Sequence, residues 1–245
     1  MLRIRDLELG TVPRVAAVFS DAELRAHAPL ARAFADLIEL RVDRFARHDP
    51  AHVAEVCREA RGPGLPVIAT VRAAAEGGEA DLDDARRLAL FESLLAEADA
   101  FDVELRSKIC PPVLAAARAA GKPVIASYHD FAATPRDGDL LRLIEEGAAS
   151  GADAIKLATM AHTAGDLDRM LGVLRAHRGR NLILIAMGPH GVASRVFFPL
   201  FGSLLTYACT ESAVAPGQLS LADLDRELRL YSPEVAAARA ARGSA

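Results

Sequence analysis

The feature that most constrains this 245-residue chain is a repeated order of segments. Short, β-branched apolar runs return roughly every 25 to 30 residues, and each is followed by a stretch of helical period rich in Ala, Leu and Arg. Eight runs read as strands, over residues 14–20, 36–43, 66–72, 101–105, 123–130, 154–160, 181–188 and 204–209. Runs such as VIAT, VIAS and LILIAM are almost continuously apolar, which suits parallel strands covered on both faces. No Pro/Gly/Ser-rich linker divides the units, and no strand runs into G-x-G-x-x-G. The pattern therefore predicts an α/β protein with a single (β/α)8 TIM barrel, not an open dinucleotide-binding sheet.

Residues 2–10 are expected to form a short hairpin closing the barrel floor, and residues 1–232 to make the catalytic domain. The Ala/Arg-rich tail, residues 233–245, reads as helical or disordered. Within the third unit the spacing predicts a helix over residues 81–98. It would turn Leu82, Ala85, Leu88, Ala89, Leu94 and Leu95 inward, and Asp83, Asp84, Arg86, Arg87, Glu92 and Glu97 mainly to solvent.

Charge excludes some classes of partner. The 29 basic and 33 acidic residues are mixed along the chain, for a net charge of -4, without the basic stripe that nucleic acid requires. No apolar run is long enough for a membrane helix, and the first ten residues lack an apolar signal core, so a cytoplasmic location is expected. Cys57, Cys110 and Cys209 form no Cys-x-x-Cys pair and have no His at metal-ligand spacing; they read as buried or incidental thiols, and no metal is expected.

In a parallel barrel, chemistry sits at the C-terminal ends of the strands. Here those ends carry Glu39, Arg41 and Asp43; Thr70 and Arg72, followed by Glu76-Gly77-Gly78-Glu79; Asp102 and Glu104; Ser127, His129 and Asp130; Lys156; and Met187-Gly188. Alternate residues share a face, so Glu39, Arg41 and Asp43 lie together, as do Asp102 and Glu104.

Only three lysines occur, Lys108, Lys122 and Lys156. Lys156 lies in an apolar strand, where a lysine among cationic neighbours and out of water is a nucleophilic amine able to condense with a ketone or aldehyde. The same context fits a snorkelling or salt-bridged lysine. His129, one strand earlier, has the proton affinity to take a proton from carbon and return it to a leaving hydroxyl; a satisfied core or surface histidine fits equally. His27, His48, His52, His162, His177 and His190 fall mostly on helices or loops and read as solvent-facing. Arg195 falls in the first turn of a helix, opposed by the helix dipole, where a grip on a substrate carboxylate or a salt bridge to a loop carboxylate would account for it. Residues 215–218 read as a mobile loop over the mouth or a plain turn.

Taken together, these segments resemble the type I 3-dehydroquinate dehydratases. Glu39-Leu40-Arg41-Val42-Asp43, Thr70-Val71-Arg72 with Glu76-Gly77-Gly78, Ser127-Tyr128-His129-Asp130-Phe131 with Thr134-Pro135, Ile155-Lys156-Leu157-Ala158, Met187-Gly188 with Ser194-Arg195, and Ala215-Pro216-Gly217-Gln218 stand in family order. The resemblance implies a shikimate-pathway hydro-lyase that converts 3-dehydroquinate to 3-dehydroshikimate and water. Lys156 would form an imine with the C3 ketone, His129 would move the protons, and Glu76 would orient His129, with Asp102 in the same network. Arg195 would hold the substrate carboxylate. Glu39, Arg41, Arg72 and Gln218 would contact ring hydroxyls or carboxylate, and Phe131, Met187 and Tyr207 would pack around the ring. The resemblance also implies a homodimer and a reaction without a cofactor. One position departs from the family pattern: Val214 stands where the loop usually carries a serine. An aldolase-like imine-forming barrel acting on another keto compound, and a non-catalytic metabolite-binding barrel, are the alternative readings.

Overall fold

The computed structural model describes residues 2–210 and 215–243. Two short strands, β1 (Arg3–Ile4) and β2 (Leu7–Glu8), pair antiparallel as a hairpin. Among the described residues, eight parallel strands follow: β3 (Val15–Phe19), β4 (Leu37–Arg41), β5 (Val67–Thr70), β6 (Ala100–Glu104), β7 (Val124–Asp130), β8 (Ala154–Met160), β9 (Leu182–Met187) and β10 (Thr206–Ala208). Between and after them lie α1 (Asp21–Phe34), α2 (Pro50–Ala60), α3 (Asp84–Ser93), α4 (Cys110–Ala119), α5 (Asp137–Ser150), α6 (Ala164–Ala176), α7 (Val192–Leu200), α8 (Leu221–Tyr231) and α9 (Pro233–Gly243). The spatial order β10-β3-β4-β5-β6-β7-β8-β9 rolls the sheet into a nearly closed barrel. At the β9–β10 seam, Leu204 N–H donates to the Leu182 carbonyl at 2.9 Å. This is the predicted (β/α)8 barrel.

The apolar strand runs are explained by burial on both faces. Val15, Ala17, Phe19, Ile38, Leu40 and Val67 pack outward against the helices, while Ala16, Leu37, Ile68, Ala100, Ile125 and Ile183 fill the interior. Ile4 and Leu9 of the hairpin segment join that interior layer and are 0% and 1% exposed, so the hairpin seals the floor. Burying a side chain of this kind contributes roughly 1.5–3 kcal/mol.

At the floor, one device recurs at three strand entries. Asp36, Asp99 and Asp153 each stand just before a strand and accept from the first N–H of the preceding strand, at Val15 (2.9 Å), Val67 (3.0 Å) and Val124 (2.8 Å). Each carboxylate thereby satisfies a buried donor that the ladder leaves unpaired.

Some local expectations are corrected. The strand expected over residues 36–43 ends at Arg41, because Val42–Arg44 forms a 3-10 turn. The helix expected over residues 81–98 runs only from Asp84 to Ser93, capped by the Asp83 side chain on Arg86 N–H. Its buried face is Arg87, Leu90 and Phe91, while Ala85 and Ala89 are exposed. His52 does not face solvent: its Nε2 lies 3.1 Å from Asp21 Oδ2, and its ring meets Phe45 edge-on. The tail helix α9 packs on α1 and α8. Buried Arg239 reaches Asp225 at 2.7 Å and both oxygens of Asp36 at 3.0 Å.

Candidate active site

At the C-terminal end of the barrel, a cavity opens to solvent. Its lining includes Glu39, Arg41, Arg72, Glu76, His129, Phe131, Lys156, Met187, Arg195, Tyr207 and Gln218. Asp102 lies beneath these, and Val214 lies outside the described residues.

Parallel register explains how the central groups meet. Lys156 sits opposite Ser127 across the β7–β8 ladder, and His129 is two residues further along β7, on the same face. Lys156 is 5% exposed. Its Nζ donates to Asp102 Oδ2 at 2.9 Å, lies 3.6 Å from Glu39 Oε1, and sits 4.1 Å from the centroid of the Tyr207 ring. The expectation of cationic neighbours is thus corrected in part, because the groups nearest the amine are carboxylates and an aromatic face. Burial pushes the Asp102 carboxyl up, but Arg72, Lys156 and His129 together with the Ser127 hydroxyl hold it well below the usual carboxylate range.

Arg72 is the hub at the base of the cavity. It donates to Asp102 at 2.7 Å, to Glu104 at 3.0 Å and to Ser127 Oγ at 2.7 Å, and Ser127 in turn donates to Asp102 at 2.6 Å. Arg41 grips Asp43 with both arms, at 2.9 and 2.8 Å, and also donates to the Gly77 carbonyl. Glu39 accepts from Thr70 Oγ1 at 2.9 Å. Every one of these groups is buried, and each is paired, as the desolvation cost of a buried charge requires.

Glu76 reaches across from the loop after β5. Its Oε2 accepts from the backbone N–H of His129 and faces the ring Nδ1, both at 2.9 Å. Burial, followed by the charges of Arg72 and Lys156, pushes the His129 imidazole well below its ordinary value, so the ring is neutral at neutral pH. Burial pushes Glu76 up to about 7. The loop needs its glycines: Gly77 has φ +85°, and a Cβ there would stand 2.7 Å from Phe131 Cζ, while a Cβ at Gly78 would overlap the Arg72 carbonyl. Phe131, 41% exposed at the rim, stacks on the His129 ring at 6.5 Å and 18°.

Arg195 projects from the second turn of α7 and is 2% exposed. One amino group donates to the Pro216 carbonyl at 3.2 Å, and Nε has no partner among the described residues. Burial lowers its pKa to about 10. The Pro216 carbonyl also accepts from Gly188 N–H at 3.1 Å, which holds residues 215–218 across the mouth. The buried Tyr207 hydroxyl likewise lacks a partner among the described residues. Among the described residues, no group of three or more His, Cys, Asp or Glu side chains could hold a metal ion. No helix of the described residues is long and apolar enough to cross a membrane.

With this geometry in place, comparison with known proteins is decisive. The model of the type I 3-dehydroquinase family matches residues 16–234. The chain belongs to the type I 3-dehydroquinase family. Among its type I 3-dehydroquinase relatives, the 3-dehydroquinate dehydratase of Methanosarcina barkeri is 37% identical over 240 residues, covering 94% of this chain and 99% of that one. The crystal structure of 3-dehydroquinate dehydratase from Geobacillus kaustophilus superposes with a TM-score of 0.87 at 28% identity, covering 94% of this chain and 95% of that one. A further type I 3-dehydroquinate dehydratase, from Clostridium difficile and with covalent modified comenic acid, gives a TM-score of 0.87 at 28% identity, covering 94% and 97%.

Reasoning from sequence brought the lysine, the histidine and their charged companions to one mouth. Glu104 and Ser127 were visible as polar strand ends, without a role. Arg87, read as solvent-facing, in fact braces Glu104 from an outer helix. Nothing near Arg87 in sequence signals that contact.

Proposed function

We propose that this chain is a 3-dehydroquinate dehydratase, a hydro-lyase that forms 3-dehydroshikimate and water through an imine on Lys156. The observation that carries this reading is the buried Lys156 amine, open to the same cavity as a neutral, Glu76-oriented His129.

In the proposed sequence, Lys156 Nζ passes a proton to His129 and adds to the C3 carbonyl, and His129 returns that proton to the carbinolamine oxygen, which leaves as water to give a protonated imine. The imine draws electrons from C2 more strongly than the ketone does, and His129 Nε2 takes the C2 proton, leaving an enamine. The enamine reforms the imine as the C1–O bond breaks, and the imidazolium gives its proton to the departing hydroxyl, which leaves as water. Addition of water then hydrolyses the imine and frees Lys156, so one water is lost overall. Arg195 would hold the substrate carboxylate, with a bidentate guanidinium suited to that group. Arg41, Glu39 and Gln218 would face the ring hydroxyls, while Met187, Phe131 and Tyr207 would close around the ring. Arg72 would act from beneath, through Asp102. The family resemblance extends to a homodimer, for which light scattering should give twice the chain mass.

The test is to treat the protein with 3-dehydroquinate and borohydride, and to map the adduct by mass spectrometry while turnover is followed from the absorbance of the conjugated product. An adduct on Lys156, absent from Lys156→Ala along with turnover, supports the reading. Wild-type turnover by Lys156→Ala would sink it.

A further inference from the structure

Arg87 belongs to an outer helix, yet it is 2% exposed and its guanidinium reaches the carboxylates beneath the active site. One amino group is bonded to Glu104 Oε2, the other donates to the half-exposed Asp84 at 3.3 Å and to Ser107 Oγ at 3.4 Å, and Nε donates to the Val71 carbonyl at 3.0 Å. The other carboxylate oxygen of Glu104 accepts from Arg72 at 3.0 Å and from Ala73 N–H at 2.8 Å. The Arg87–Glu104 pair thus fixes the backbone immediately before and after Arg72, as well as the Arg72 side chain itself. From Arg72 the chain of bonds continues to Asp102 and then to Lys156 Nζ.

We propose that Arg87 is a positioning residue for the reaction, bracing Arg72 and Asp102 around the Lys156 amine and completing the charge balance of the buried cluster. This inference rests on the function proposed above. Lys156, Arg72 and Arg87 face Asp102, Glu104 and Glu39, three cations against three carboxylates, all no more than 5% exposed. Arg41 and Asp43 form a pair of their own beside them. Removing Arg87 leaves one net negative charge where solvent screening is weak. Glu76 and His129 feel that change. Glu76, raised chiefly by burial, is pushed further up by Glu104 and Asp102 and pulled down by Arg72. His129, lowered chiefly by burial, is pushed further down by Arg72, Lys156 and Arg41 and pulled up by Asp102. Unmasking Glu104 moves both groups toward their protonated forms.

The experiment measures kcat and KM for 3-dehydroquinate against pH in the full chain and its variants, with the His129 titration followed by NMR. Arg87→Met is expected to lower kcat about tenfold with KM within about twofold, since Arg87 lines no part of the cavity. The acid limb and the His129 titration should both move up by about one pH unit. Glu104→Gln, which removes an anion, should move them the opposite way, and the double variant should return them toward wild type. Loss of activity without displacement of the limb, or displacement in the same direction by both single variants, overturns the proposal. If Arg87→Met fails to fold, Arg87→Lys decides: the retained charge should hold the limb in place while the lost fork lowers kcat, and a displaced limb overturns the proposal. A wild-type protein with no adduct on Lys156 refutes the proposed function instead, and the NMR titration still decides whether Arg87 sets the charge balance.

Discussion

Glu76 Oε2 accepts from the backbone N–H of His129 and stands against the ring Nδ1 of the same residue, each at 2.9 Å. A side chain held at its root and at its ring cannot swing away from the cavity. Glu76→Ala should therefore lower kcat roughly 10- to 100-fold with little change in KM, a part of what acid–base catalysis supplies. The pH dependence of stability gives an independent reading. Burial raises Glu76 from 4.5 to about 7 in the fold. The protonated carboxyl thus favours the folded state below the unfolded value, and that contribution is lost as pH rises through about 7. Thermal melts of the wild type should decline across this window relative to Glu76→Gln, which carries no titrating group there. Parallel curves for the two proteins would contradict the argument.

Arg195 carries a different expectation, because its burial leaves Nε without a partner among the described residues and lowers its pKa to about 10. A buried, incompletely paired cation costs the resting fold stability and strengthens the response to an incoming carboxylate. Arg195→Gln should raise KM about 10- to 100-fold, corresponding to roughly 1.5–3 kcal/mol for a hydrogen bond to a charged group. Its urea-unfolding midpoint should equal or exceed that of the wild type. Unchanged KM in Arg195→Gln would remove the residue from carboxylate binding.

The third expectation concerns the opposite end of the barrel. Arg239 sits between Asp36 and Asp225, which are each 2% exposed. Burial pushes the Asp36 carboxyl up, but the hydrogen bonds and charge of Arg239, the Val15 N–H and Arg242 reverse this and hold it below its ordinary value. Arg239→Ala leaves Asp36 to Arg242, Arg14 and the Val15 N–H, and Asp225 to Arg229 at 3.7 Å, and should destabilise the fold by about 1.5–3 kcal/mol. Urea titration should show the loss at neutral pH and a smaller difference below about pH 4, where a depressed carboxylate loses its contribution as it protonates. Activity at low temperature should be unchanged, because nothing in this clamp reaches the cavity.

What could be read from the sequence divides along physical lines. Strand identity and the convergence of Lys156, His129 and the Arg72 cluster follow from local rules, namely continuous apolar runs, a period of two, and the polarity of a parallel barrel's mouth. Arg87 escaped because its role is not local. The inward face of α3 carries Arg87 with Leu90 and Phe91, and nothing near Arg87 in sequence announces that Glu104 needs a counter-charge. The tail was opaque for the same reason: Ala and Arg in alternation look frayed until Arg239 meets Asp36, 203 residues away. His52, too, is held half-buried by a partner 31 residues distant. Pairings at long range are made by the fold, and a single sequence carries no trace of them.

The hairpin at the other end has a bearing on traffic through the barrel. With Ile4 and Leu9 seated among the first residues of the strands, the interior is a vessel stoppered below, and among the described residues its open rim is the one that Phe131 and residues 215–218 overhang. Reactant and product must then queue at a single doorway. An arriving molecule cannot displace a departing one from behind, and each turnover ends only when its own product has backed out.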